Sequence, residues 1–237
     1  MKIDVHSDAD AAAAAGARFI AAQAREAVAA RGRFVMAVSG GRTPWQMLRA
    51  LASEKVPWKN VHVVQVDECV ARPGDPDRNL THLRESLLSH APLPPEQIYA
   101  MPVESPDLWA AAKLYGQTLN KIAGTPSVLD LAHLGLGPDG HTASLVPGDP
   151  VLDVADADVA PTGIYQKRRR LTLTYPLLNR SRCLLWVVTG SEKADTIVRL
   201  LIRDRTIPAG RIRCDDALLI ADKAAAAKLE AADRKGI

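Results

Sequence analysis

The chain has 237 residues, 47% of them apolar and 24% charged, with a formal net charge of +3 and three cysteines. That is enough apolar material for a sizeable core and too little net charge to imply a nucleic-acid partner; no segment approaches the roughly 18 consecutive apolar residues of a membrane span, and the N-terminus lacks a basic-then-apolar leader pattern. Cys69, Cys183 and Cys214 are odd in number and far apart, which excludes a disulfide framework or a paired-cysteine metal knuckle, so a cytoplasmic enzyme or binding protein without a metal is expected.

Lys2 to Val5 alternates like a short edge strand, and Asp8 then caps an alanine-rich helix running to about Ala30. Phe34 to Val38 is a continuous apolar run of strand length, the pattern of a strand covered on both faces. It delivers the chain to Ser39-Gly-Gly-Arg-Thr-Pro44, where Thr43 is placed to cap a helix whose first residue is Pro44. Strand, glycine turn and helix N-terminus form either an anion site, with free amides and a positive dipole end aimed at one point, or a plain tight turn. Val61 to Val66 is the next buried strand. It ends in Asp67-Glu68, a candidate base and orienting group or, equally, a helix cap or salt bridge. Turn formers fill 72–78, and Asn79 opens a helix through Leu88.

Ile98 to Met101 reads as a short strand, and Asp107 to Ile122 as an amphipathic helix packed through Trp109, Leu114 and Leu119. Val128 to Leu134 is an apolar strand that breaks at Gly135, Gly137 and Gly140, and the break presents Asp139 and His141. A buried strand that ends in glycines and at once offers an acid and an imidazole fits the carboxyl edge of an open parallel sheet, where ligands bind. Asp153 to Asp158 reads as solvated acidic surface and Lys167 to Arg170 as a solvated approach with one inward arginine. Arg170 to Tyr175 alternates as a strand; Cys183 to Val188 is a further buried strand, with Lys193 in the first turn of the helix after it. Ala217 to Ile220 is the last strand and an alanine-rich helix closes the chain. The alternation predicts one α/β domain over residues 1–237, doubly wound, with a mostly parallel sheet and helices on both faces.

Four strand ends then carry polar chemistry: Ser39 to Thr43, Asp67-Glu68, Asp139 with His141, and Lys193. In a parallel sheet these ends share one edge, so a phosphate cradle and acid/base groups meet in one cleft. A nucleophile elbow, a Walker lysine and a zincin helix are all missing from the sequence.

Taken together, Ser39-Gly-Gly-Arg-Thr-Pro44, Val66-Asp-Glu68 with Asp75-Pro-Asp-Arg-Asn79, Gly135-Leu-Gly-Pro-Asp-Gly-His-Thr-Ala-Ser-Leu145, Arg170-Leu-Thr-Leu-Thr174 and Thr189-Gly-Ser-Glu-Lys193 resemble the 6-phosphogluconolactonase family, which is related to glucosamine-6-phosphate isomerase. Each motif alone is common; five in order span nearly the whole chain. The resemblance implies hydrolysis of 6-phospho-D-glucono-1,5-lactone in the oxidative pentose phosphate pathway, with no cofactor and a phosphosugar lactone as the partner of a monomer or small homo-oligomer. On that reading His141 is the general base, with Asp139 and Asp67 as further catalytic groups. Ser39, Gly40, Gly41, Thr43, Glu68, Arg170 and Lys193 hold the substrate, and the amides of Gly137 and Gly140 receive the oxyanion. Members similar to this chain read Asp-Glu-Arg where it has Asp67-Glu68-Cys69, so Arg72 or Arg42 is the candidate replacement cation. An amino-sugar-phosphate isomerase with Asp67 as its base, and a non-catalytic sugar-phosphate-binding protein, are the alternatives. The related isomerases follow Gly-His with Asn-Glu-Pro, whereas Thr142-Ala-Ser144 stands here.

Overall fold

The computed structural model describes residues 1–229. In chain order the elements are β1 (Lys2–His6), α1 (Ala9–Arg31), β2 (Phe34–Val38), α2 (Arg42–Leu51), β3 (Val61–Gln65), β4 (Asp67–Cys69), α3 (Asn79–Leu83), β5 (Ile98–Tyr99), α4 (Leu108–Ala123), β6 (Leu131–Leu134), β7 (Val159–Pro161), β8 (Arg170–Leu173), α5 (Tyr175–Arg180), β9 (Cys183–Val188), α6 (Ala194–Leu201) and β10 (Ala217–Asp222). The first helix begins where its residues dictate: the Asp8 carboxylate accepts the Ala11 amide at 2.9 Å, and Gly32, at φ 73°, stops it. A second capping aspartate, Asp107, starts α4 by accepting the amides of Trp109 and Ala110.

Seven strands form a parallel sheet in the order β1-β10-β9-β6-β2-β3-β5. Strand residues alternate between two apolar cores. Phe34, Met36 and Val38 of β2 pack with α1 and α2, whereas Val35 and Ala37 pack on the opposite face with Tyr115, Leu119 and Ile197. Each large side chain buried this way contributes about 1.5–3 kcal/mol, which fixes the strands and therefore where their ends lie. From β2 the sheet grows outward through β3 and β5; from β6 it grows the other way through β9 and β10. The crevice between the ends of β2 and β6 is the switch point of such a sheet, and the Ser39 and Gly135 loops leave from those two strands.

The structure departs from the expectations at several places. β8 does not join the parallel sheet. It is the centre of a separate antiparallel sheet, β4-β8-β7, so the run from Val61 crosses from one sheet to the other after Val66, and Asp67 and Glu68 begin a new strand. The Asp153 to Asp158 segment is not wholly solvated: Asp158 takes a two-point ion pair from Arg180, and the segment leads into β7, too short to show a period. Trp109 and Leu114 are exposed, because the buried stripe of α4 runs through Leu108, Ala111, Ala112, Tyr115 and Leu119. The helix from Asn79 gives way after Leu83 to a π-helical turn, Arg84–Leu88. The closing helix falls on consecutive turns over residues 223–228 with Leu229 helical, and residues from 230 on lie outside the described residues. No helix among the described residues is long and apolar enough to cross a membrane.

Candidate active site

A cleft of about 1430 Å³ opens over the carboxyl ends of β2, β3, β6 and β9, and Ser39, Gly40, Gly41, Thr43, Asp67, Gly137, His141, Arg170 and Lys193 all line it. The β2 wall is the N-terminus of α2. Gly41, at φ 119° and ψ 162°, takes the non-helical position that the sequence assigned to Thr43, and the helix therefore starts at Arg42. Thr43 is not the cap. Its hydroxyl lies 2.5 Å from the Thr189 hydroxyl and ties the β2 loop to the β9 loop. Gly40 abuts Asn79 so closely that a Cβ would sit 1.9 Å from its side-chain oxygen. Two cations flank this wall, Arg42 and Lys193. Burial, and next to it the opposing pull of Glu192 and Asp139, leaves the Lys193 ammonium below the usual lysine range, with Arg42 adding repulsion.

The β6 wall carries the acid and the imidazole. His141 Nδ1 lies 2.6 Å from Asp139 Oδ1, and the same oxygen accepts the His141 amide at 3.1 Å. Partial burial works against the Asp139 charge, yet the His141 amide and ring hold its carboxyl below the ordinary carboxylate range. With the Nδ1 proton turned to Asp139, Nε2 is the free acceptor. Gly137 is required for this pair: a Cβ there would stand 2.1 Å from His141 Nδ1. The two loops are linked beneath the cleft by His133 of β6, whose Nδ1 accepts the Ser39 amide at 3.3 Å. Complete burial pushes the His133 imidazole down to about 3, so it stays neutral and its Nδ1 stays an acceptor.

Two sequence assignments need correction. Glu68 does not face the cleft. It is wholly buried, and its carboxylate accepts the amides of Cys69, Asn79 and Leu80 and the side chain of Gln65, with Arg78 beside it. It is the anion at the start of α3, the cap reading left open by the sequence. The Gly137 and Gly140 amides are not free oxyanion donors either: the first is bonded to the His141 carbonyl at 2.8 Å and the second to the Gly137 carbonyl at 3.0 Å. These bonds close the loop and so aim His141.

Asp67 is buried on the cleft wall, accepting the Ser144 hydroxyl at 2.6 Å and the Asn79 side chain, with Arg170 Nη1 at 3.5 Å. Arg170 Nε is buried without a hydrogen-bond partner among the described residues. Cys69 lies off the cleft, wholly buried, with its thiol directed at the Asp77 carbonyl and pushed up to about 11 by burial and the Glu68 charge. Of the two arginines considered as its substitute, Arg42 lines the cleft. Sequence reasoning passed over Asn79, Ser144, Tyr165 and Gln166 as cleft residues. For Asn79 and Ser144 the signal was present, since both sit inside the motifs quoted above.

Residues 7–220 match the family model described as glucosamine-6-phosphate isomerases/6-phosphogluconolactonase. The chain belongs to this family. Within it, the chain is 34% identical over 211 residues to a 6-phosphogluconolactonase of Nostoc sp., covering 86% of this chain and 88% of the relative. Identity to the 6-phosphogluconolactonase of Mycobacterium tuberculosis is 33% over 247 residues, covering 96% and 98%. Among solved structures, 6-phosphogluconolactonase from Thermotoga maritima superposes with a TM-score of 0.82 at 26% identity, covering 93% of this chain and 98% of that one. A monomeric glucosamine-6-phosphate deaminase gives the same TM-score of 0.82 at 19% identity, covering 96% and 99%, a likeness of fold.

Proposed function

We infer that this chain hydrolyses 6-phospho-D-glucono-1,5-lactone to 6-phospho-D-gluconate. The observation that carries the reading is the cleft itself, where the N-terminus of α2, Arg42 and Lys193 face the same space as an imidazole bonded to a carboxylate at 2.6 Å. Phosphate suits the first wall, because free helix amides and two cations act on it together. An ester carbon suits the second. A δ-lactone is an activated ester, so orientation, deprotonation of a water and stabilisation of the oxyanion suffice.

In this mechanism His141 Nε2 takes a proton from water as the oxygen adds to the lactone carbonyl, and Asp139 holds the Nδ1 proton and the ring's orientation. Because the glycine amides are used within their loop, Arg170 is the better oxyanion donor: its side chain lines the cleft, and Asp67 stands beside its Nη1 at 3.5 Å. The imidazolium returns its proton to the ring oxygen as the carbonyl re-forms and the ring opens. Asp67 is a poor candidate for the mobile base of an isomerase, since Ser144, Asn79 and Arg170 already engage it.

The test is a pH-stat assay with freshly generated lactone, spontaneous hydrolysis subtracted, run beside an isomerase assay with glucosamine 6-phosphate. Lactone turnover that His141→Ala abolishes, with binding of 6-phosphogluconate retained, is the expected result. Turnover unchanged in His141→Ala, or found only with the amino sugar, refutes the reading.

A further inference from the structure

The hairpin joining β7 to β8, which carries the basic run from Lys167, reaches the cleft from the small antiparallel sheet. Its tip is a two-residue turn: Tyr165 and Arg168 exchange backbone hydrogen bonds of 2.9 and 3.1 Å, and Gln166 and Lys167 both adopt left-handed conformations, at φ 50° and 67°. Such turns ordinarily carry glycine or asparagine, and two side-chain-bearing residues are held there only when the surroundings over-determine the geometry. The surroundings do so at both ends. Arg168 pairs with Asp75 at 3.2 Å and Asp77 at 2.7 Å, and Tyr165 turns inward onto the catalytic pair.

The contact with that pair is specific. Both hydrogen bonds between Asp139 and His141 use Oδ1. The other oxygen, Oδ2, has the Tyr165 hydroxyl as its donor at 3.4 Å. The Tyr165 ring meets the His141 ring edge-on, with centroids 5.6 Å apart and planes at 62°. One side chain thus restrains both members of the pair, the acid through its free oxygen and the imidazole through its edge. Burial and the Asp139 charge push the phenol upward, so it remains a protonated donor.

We propose that Tyr165 is a positioning residue for the Asp139–His141 pair, holding the carboxylate turned toward Nδ1 so that His141 presents Nε2 to water. The inference rests on the lactonase reading for its kinetic consequence but not for its structural one. The experiment uses Tyr165→Phe, which keeps the ring and removes only the donor. Two measurements are made on the full chain: lactone hydrolysis, and the ring ¹⁵N shifts of His141, assigned by their loss in His141→Ala. Loss of one long hydrogen bond, at 3.4 Å, predicts a fall in kcat of about three- to tenfold with KM changed by less than about twofold, and a smaller share of the Nδ1-protonated tautomer. An unchanged kcat and unchanged tautomer ratio overturn the proposal. So does a rise in KM alone, which would make the hairpin a substrate contact only. If the wild-type chain fails to accelerate lactone hydrolysis, the functional reading falls, and the tautomer ratio still decides whether Tyr165 positions His141.

Discussion

Replacing Gly137 by alanine separates the chemistry of the site from its fold. The added Cβ would lie 2.1 Å from His141 Nδ1, 2.3 Å from Cε1 and 2.6 Å from Asp139 Oδ1, where ordinary contact begins at 3.4 Å. The imidazole therefore has to retreat by about 1 Å or more, and a displacement of that size at a reacting group costs on the order of 10²-fold in rate. The ceiling is the whole contribution of general-base catalysis, about 10² to 10⁴. Stability moves little: the backbone at Gly137 is not left-handed, so alanine fits it, and the side chains that must shift are on the cleft surface. The smaller entropy of the unfolded alanine chain is worth about 0.4–1 kcal/mol, and loss of a surface pair costs a similar amount. We expect Gly137→Ala to melt near the wild-type temperature, to bind 6-phosphogluconate, and to hydrolyse the lactone about a hundredfold more slowly. Gly116→Ala, in α4 with open space around its Cβ, is the control expected to leave the rate alone. A Gly137→Ala rate within about threefold of wild type would show that the Asp139–His141 geometry does not govern turnover.

Removing the Lys193 charge by Lys193→Met is expected to raise KM about tenfold or more, the worth of one charge-assisted contact, with a smaller effect on kcat. Because burial lowers the Lys193 ammonium, its charge is lost from the alkaline side sooner than an ordinary lysine's. Affinity for 6-phosphogluconate should accordingly weaken as pH rises, and titration calorimetry should find that limb missing in Lys193→Met. His133 gives a stability signature of its own. Its imidazole is held at about 3 against an ordinary 6.5, so an unfolded chain binds a proton across that window that the folded chain refuses. Stability is full above the ordinary value and falls as pH drops toward 3, by a little over about 1 kcal/mol per pH unit at most. His133→Asn, which keeps an acceptor for Ser39, should flatten that acid limb in denaturant titrations; an unchanged limb would assign it to other groups.

Most of the main sheet was legible because its strands are unbroken apolar runs, as in Phe34 to Val38 and Cys183 to Val188, and such runs admit few other readings. The glycine breaks after β2 and β6 located the cleft for the same reason. What escaped the sequence depends on pairing at a distance. Whether Glu68 faces a ligand or a helix end is decided by where Asn79 and Leu80 lie, and the neighbouring Asp67 gives no hint that the two side chains diverge. The Gly137 and Gly140 amides look free until the turn that closes on them is seen. Tyr165 is a lone aromatic beside a basic run, and its proximity to His141 follows only from the antiparallel pairing of β7 with β8.

On the lactonase reading, the anion grip sits on the loops after β2 and β9 and the imidazole with its carboxylate on the loop after the four-residue β6, while Arg170 enters the cleft from β8. On that reading, changes confined to the β6 loop register in turnover and changes in the β2 and β9 loops register in affinity, two effects that steady-state kinetics reads apart.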